Sequence, residues 1–95
     1  MAAIGIIETR GFTSAVEALD TMCKDAKVEV NKMARPGGGH ITLIIEGEVS
    51  AVKSAVDAGV AAAERLNADI ICINVIPNPH EELVAYLKKE MKRIG

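Results

Sequence analysis

Tryptophan is absent, and the aromatic set is one phenylalanine and one tyrosine among 95 residues. That scarcity excludes the stacking platforms on which single-stranded nucleic acid is held. Charge of one sign is also missing. Eleven basic side chains stand against 13 acidic ones, a net charge of −2, so no basic field draws in a polyanion. Apolar runs stop short of the ~18 residues a bilayer span needs. The opening MAAIGIIETR lacks the basic start and long apolar stretch of a secretory signal. Cysteine is scarce, and Cys23 and Cys72 have no CxxC spacing. Both lie in apolar periodic segments and read as buried free thiols, which suits a reducing cytoplasm. Neither nucleic acid nor membrane is expected as a partner.

Hydrophobic residues at 49% and charged residues at 25% fit a globular fold and exclude a disordered chain. The length allows one compact domain, taken as residues 1–95. A core of Ala, Val, Ile and Leu without large aromatics is thin, and a domain this small is often helped by association. Lys88, Lys89, Lys92 and Arg93 sit among acids on a terminal helix and read as a solvated face.

The patterning predicts four strands and three helices. Ala2–Glu8 is short, apolar and rich in isoleucine, a strand buried on both faces. Gly11 ends it. Ser14 and Glu17 match a capping box, and Val16, Leu19, Met22 and Cys23 then give one helical face. Val28–Met33 reads as a second strand, interrupted by Pro36-Gly37-Gly38-Gly39. Ile41–Glu46 is the third. Val49–Leu66 is an alanine-rich helix with Val49, Val52, Val56, Gly59, Ala63 and Leu66 on one stripe, and Asn67 as its stop. Ile70–Ile76 is the fourth strand. Asn78 is placed to cap a last helix, with Pro79 first in it, Glu81 and Glu82 in its first turn, and Leu83, Tyr86, Leu87 and Met91 as its apolar side against its own subunit. The order β-α-β-β-α-β plus a helix is the split βαβ arrangement. The fold class is α/β (α+β), ferredoxin-like, with a four-stranded antiparallel sheet, two covering helices and a C-terminal helix.

The glycine loop has several chemical readings. A phosphate cradle leads into a helix N-terminus and carries a Lys-Ser/Thr or GxGxxG spacing. Here the loop leads into a strand and no such lysine follows. A plain hairpin turn needs glycine only for positive φ. His80 is forty positions from the other histidine, His40, too isolated to suggest a metal site. No Ser/His/Asp or Cys/His setting points to a nucleophile. Catalytic residues, metal and cofactor are therefore each assigned as none.

Three stretches together carry a resemblance: IGIIETRGF, then PGGGH followed by ITLIIEGEVSAVKSAVDAGVAAAERL, and VIPNPHEEL. In these the chain resembles the hexameric shell proteins of bacterial microcompartments, over nearly its whole length. The resemblance implies a non-enzymatic tile in a cytoplasmic microcompartment shell. Copies close into flat cyclic hexamers, hexamers join other shell proteins in a sheet, and the wall surrounds encapsulated enzymes while small polar metabolites cross a central pore. Carried over, Gly37, Gly38, Gly39 and His40 line the pore, with Gly38 at its narrowest part. Lys24, Asn78, Pro79 and His80 fall at the hexamer–hexamer edge. Arg35-Pro36 stands where Lys-Ile is usual, His40 where an apolar residue is common, and Asn78 where an edge arginine is frequent. If His40 faces the pore, it adds a titratable ring. If it faces a subunit boundary, it is a hydrogen-bonding contact. Two competing readings use the same fold: a small-molecule-sensing regulatory domain, and an acyl-phosphate hydrolase using Arg10 or Arg35.

Overall fold

The structure, a computed structural model, describes residues 3–25 and 27–90, apart from the side chains of residues 25 and 87–90. The expectations placed on Ala2, Met91, Lys92 and Arg93, and on the side chains of Leu87, Lys88 and Lys89, lie outside the described residues. The elements run β1 (Ala3–Arg10), α1 (Phe12–Asp25), β2 (Val28–Gly37), β3 (His40–Gly47), α2 (Val49–Arg65), β4 (Asp69–Ile76) and α3 (Glu81–Glu90). The sheet order is β2-β3-β1-β4, and each neighbouring pair is antiparallel. Strand β3 splits the β1-α1-β2 unit and β1 splits the β3-α2-β4 unit, which is the ferredoxin-like arrangement the element order predicts.

Alternation along β1 sends Ala3, Gly5, Ile7 and Thr9 to the helix side. Ala3 and Ile7 join Ile41, Leu43 and Ile45 of β3 in the core. Helix α1 contributes Ala15, Ala18 and Met22, and α2 contributes Val52, Ala55, Val56 and Ala63. The small residues let both helices approach closely. A Cβ on Gly5 would stand 2.8 Å from Val52 Cγ1 and from Val56 Cγ2, and a Cβ on Gly59 would stand 2.7 Å from Met22 Cγ. Both distances are inside van der Waals contact, so glycine at each position is a packing requirement.

Several local expectations are corrected. On α1 the buried stripe is Ala15, Ala18 and Met22, and Val16 is exposed. The helix begins at Phe12, so Ser14 lies inside its first turn and does not cap it. Cys23 and Cys72 are both exposed, not buried. Cys23 is one position off the α1 seam, and Cys72 lies on an edge strand, on the face away from the helices. Strand β2 continues through Pro36 to Gly37. Proline is tolerated there because β2 is an edge strand, where a missing N–H costs no ladder bond. Helix α2 follows its predicted stripe, except that Leu66 is its exposed C-cap residue. Asn67 has φ 57°, the left-handed stop foreseen for it.

The start of α3 also differs. The helix begins at Glu81, and His80 caps it: His80 Nδ1 accepts the Glu82 N–H at 3.0 Å. Asn78 and Pro79 lie in the preceding segment. Leu83 and Tyr86 are exposed, so these two residues of the expected apolar side are not packed on the subunit.

Candidate functional site

Gly37 pairs with His40 across the β2–β3 hairpin, leaving Gly38 and Gly39 as the two turn residues. Their φ values are 63° and 77°. Positive φ at both central residues is the signature of a type I′ hairpin, whose twist matches that of the strands it joins. Gly37 has φ 131°, a value side chains rarely adopt. A Cβ on Gly37 or Gly38 would meet nothing within 4 Å. Backbone shape, not crowding, selects glycine here. The Gly11 N–H donates to the Gly39 carbonyl at 2.9 Å, which ties the turn to the end of β1.

Beside the turn, the β1–β3 register sets Arg10 opposite His40 and Glu8 opposite Thr42. On that face Glu8 is the diagonal neighbour of His40, within reach of long side chains. Arg10 Nη2 lies 3.4 Å from His40 Nε2. Glu8 Oε2 lies 3.4 Å from His40 Nδ1, with the two side chains 25% and 31% exposed. Arg35 lies over the Phe12 ring, 4.5 Å from its centroid, in cation–π contact. Phe12, Arg35, Gly39 and His40 help to line an open pocket of about 290 Å³. Arg10 and Arg35, the two arginines open to a hydrolase reading, thus make an imidazole contact and a ring contact.

Glu8 and Arg10 were not foreseen beside His40. Period-two alternation already puts those two on one face of β1. The missing step was the register with β3, a long-range pairing that local sequence does not encode.

The remaining candidate residues lie elsewhere. Strand β1 runs from Ala3, paired with Gly47, to Arg10, paired with His40. Ile4 pairs with Ile76, so the 77–80 segment follows from the end of the sheet where β1 begins. Helix α1 starts at the glycine-turn end and returns, bringing Lys24 to that same far end. About 25 Å of strand separates the two ends. Lys24 bonds Asp20 at 3.0 Å across one helical turn, with the lysine side chain 75% exposed. That hydrogen bond and the Asp20 charge hold the Lys24 ammonium above the ordinary lysine value, and an exposed pair of this kind adds little to stability. Asn78 and His80 are exposed, while Pro79 is buried.

Among the described residues no group of three or more His, Cys, Asp or Glu is placed to hold a metal ion, and no helix is long and apolar enough to cross a membrane.

Comparison with known proteins gives a consistent result. The BMC domain matches residues 3–79. The chain is 45% identical over 83 residues to the bacterial microcompartment shell protein EutM of Salmonella typhimurium, covering 87% of this chain and 85% of that protein. It is 41% identical over 90 residues to the carboxysome shell protein CsoS1A of Hydrogenovibrio crunogenus, covering 95% and 94%. It is 42% identical over 87 residues to the shell protein PduA of Salmonella typhimurium, covering 92% of each. A solved microcompartment protein from Desulfitobacterium hafniense superposes with a TM-score of 0.84 at 28% identity, over 94% of this chain and 48% of that one. The chain therefore spans about half of that solved chain and most of each curated relative. The matched domain takes in the whole four-stranded sheet and both covering helices, and on that ground the chain belongs to the BMC-domain family.

Proposed function

We propose that this chain is a structural shell subunit of a bacterial microcompartment, and that six copies close around an axis with the glycine turn innermost. Gly37, Gly38 and Gly39 border the aperture, with His40 at its flank. Lys24, Asn78, Pro79 and His80 belong to the outer rim, where hexamers meet each other and other shell proteins. Encapsulated enzymes lie behind this wall in the cytoplasm, and small polar metabolites cross through the aperture.

The observation that carries the reading is the opposition of the two ends. A turn that holds no side chains stands at one end of the sheet, and the candidate rim residues stand at the other. In a ring each turn meets its own copies, so a turn free of side chains stays open and presents backbone N–H and C=O groups to the lumen. The uncovered lateral surfaces agree with this. Both outer strands present unpaired backbone, and Val30 on β2 with Ile71 and Ile73 on β4 are exposed. Open apolar edges of this kind call for a partner.

Light scattering coupled to size exclusion tests the ring directly. Six copies of the 10.0 kDa subunit are expected, with sheets or tubes at higher concentration by negative-stain microscopy. A monomer at high concentration would sink the proposal. Lys24→Ala is expected to leave hexamers intact and to weaken sheets, because the side chain is 75% exposed and its ion pair with Asp20 is local to one helical turn. Unchanged sheet formation would remove Lys24 from the rim.

A further inference from the structure

We propose that Glu8, His40 and Arg10 form one unit beside the glycine turn, in which Arg10 is a positioning residue that fixes the tautomer of His40 and supplies the cation of the turn. The chemistry of the unit stands within a single subunit. Only its consequence for passage of metabolites rests on the aperture reading above.

A guanidinium has N–H donors and no acceptor. His40 Nε2, which faces Arg10 Nη2 at 3.4 Å, must therefore offer its lone pair. In a neutral ring the proton then belongs to Nδ1. That nitrogen faces Glu8 Oε2 at 3.4 Å, and a carboxylate only accepts. One tautomer satisfies both neighbours. An imidazolium does not, because its Nε2–H would point at the Arg10 N–H groups, donor against donor and cation against cation.

Arg10 is held against the glycine turn. Its Cγ lies 3.8 Å from the position of a Cβ on Gly39, so its stem runs along the turn. Its chain neighbour Gly11 bonds the Gly39 carbonyl at 2.9 Å. Other charged and titratable groups enter from two directions. Arg35 of β2 lines the same pocket as His40 and adds a second positive charge. On β4, Asp69 pairs with Arg10 and Cys72 pairs with Glu8, so both stand across β1 from His40 and act on it through Arg10 and Glu8. The fixed cation beside the turn is then an arginine, charged at every physiological pH. Repeated around a ring, it sets a cation that does not switch with pH beside the turn, offset by the Glu8 carboxylate of the same unit.

The test uses assembled protein carrying ¹⁵N-labelled histidine, with the His40 signals assigned by comparison with H40Q. Wild type is expected to show Nδ1 protonated and Nε2 bare at pH 8. R10Q is expected to lose that preference, and R10K, which keeps a cationic donor, to recover most of it. E8Q is expected to weaken it. A His40 tautomer that is the same in wild type and R10Q, or a proton on Nε2 in wild type, overturns the proposal.

A second measurement separates this unit from the aperture. Entry of acetate into assembled shells, relative to acetamide, is expected to be flat from pH 6 to pH 8 in wild type. In R10Q, which leaves the Glu8 carboxylate without its neighbouring cation, it is expected to be about twofold or more lower at pH 8. A tautomer change in R10Q with acetate entry still equal to wild type and flat would overturn the position of the turn at the axis while upholding the unit itself.

Discussion

Two regions of this small domain depend on glycine for opposite reasons. At the seam of β1, α1 and α2, Gly5 and Gly59 are wanted because there is no room. At the β2–β3 turn, Gly37 and Gly38 are wanted where there is nothing but room. Gly5 is flanked by two stiff valines and Gly59 by the buried Met22, so a side chain at either position pushes against the core. Gly38 has open space and a φ of 63°. There the obstacle is backbone conformation alone, which costs a side-chain-bearing residue about 1–2 kcal/mol. A residue type that looks uniform in the sequence thus serves close packing in one place and the backbone shape of a turn in the other.

The sharpest break of that contrast is Gly5→Val. Its Cβ would fall 2.8 Å from methyl groups of Val52 and Val56 and 3.1 Å from Ile45 Cγ1. β-Branched neighbours cannot rotate away cheaply, so overpacking is expected at the upper end, about 3 kcal/mol. For a domain of this size that lowers the melting temperature by about 15 °C, read by circular dichroism at matched protein concentration, since association also stabilises. A melting temperature within about 3 °C of wild type would show that the seam relaxes, and the contrast would fail on its interior side.

Gly38→Leu comes next in stability and first in function. The fold is expected to lose only about 1–2 kcal/mol, because a Cβ at this position meets nothing within 4 Å. On the proposed ring six copies of that leucine crowd one opening, so metabolite flux into assembled shells is expected to fall several-fold. Wild-type flux in well-formed Gly38→Leu shells would detach the turn from the aperture.

What the sequence disclosed follows the same division. The order of elements along the chain, the α2 stripe and the left-handed stop at Asn67 were legible because period, turn chemistry and caps are local signals. On α1, Met22 is buried and Leu19 packs against the core as expected, but the pattern favours the exposed Val16 and Cys23 over the buried Ala15 and Ala18, since valine is more hydrophobic than alanine. Close approach to α2 favours the smaller residues, and a hydrophobicity pattern does not register that preference. The exposure of Cys72, Ile71 and Ile73 was hidden for a related reason. An apolar strand at the edge of one subunit reads like a strand buried inside it. Glu8 and Arg10 needed a register between strands thirty residues apart, and the His80 cap needed a side-chain rotamer.

The smallest effect gives the finest test of the seam. Gly59→Ala adds one methyl group 2.7 Å from Met22 Cγ, 3.0 Å from Met22 Sδ and 3.3 Å from Ile7 Cδ1. Methionine is flexible and yields more readily than valine. Alanine is also favoured over glycine inside a helix by about 1 kcal/mol, which offsets part of the strain. A net loss of about 1 kcal/mol is expected. The sign should reverse once Met22 is truncated. In a Met22→Ala background the new methyl meets a cavity and the helix preference acts unopposed, so Gly59→Ala is expected to stabilise by about 1 kcal/mol. The double-mutant cycle then carries a coupling of about 2 kcal/mol between positions 22 and 59. Equal effects of Gly59→Ala in both backgrounds would mean that Met22 does not set the spacing of α1 and α2, and that helix propensity alone governs the residue at position 59.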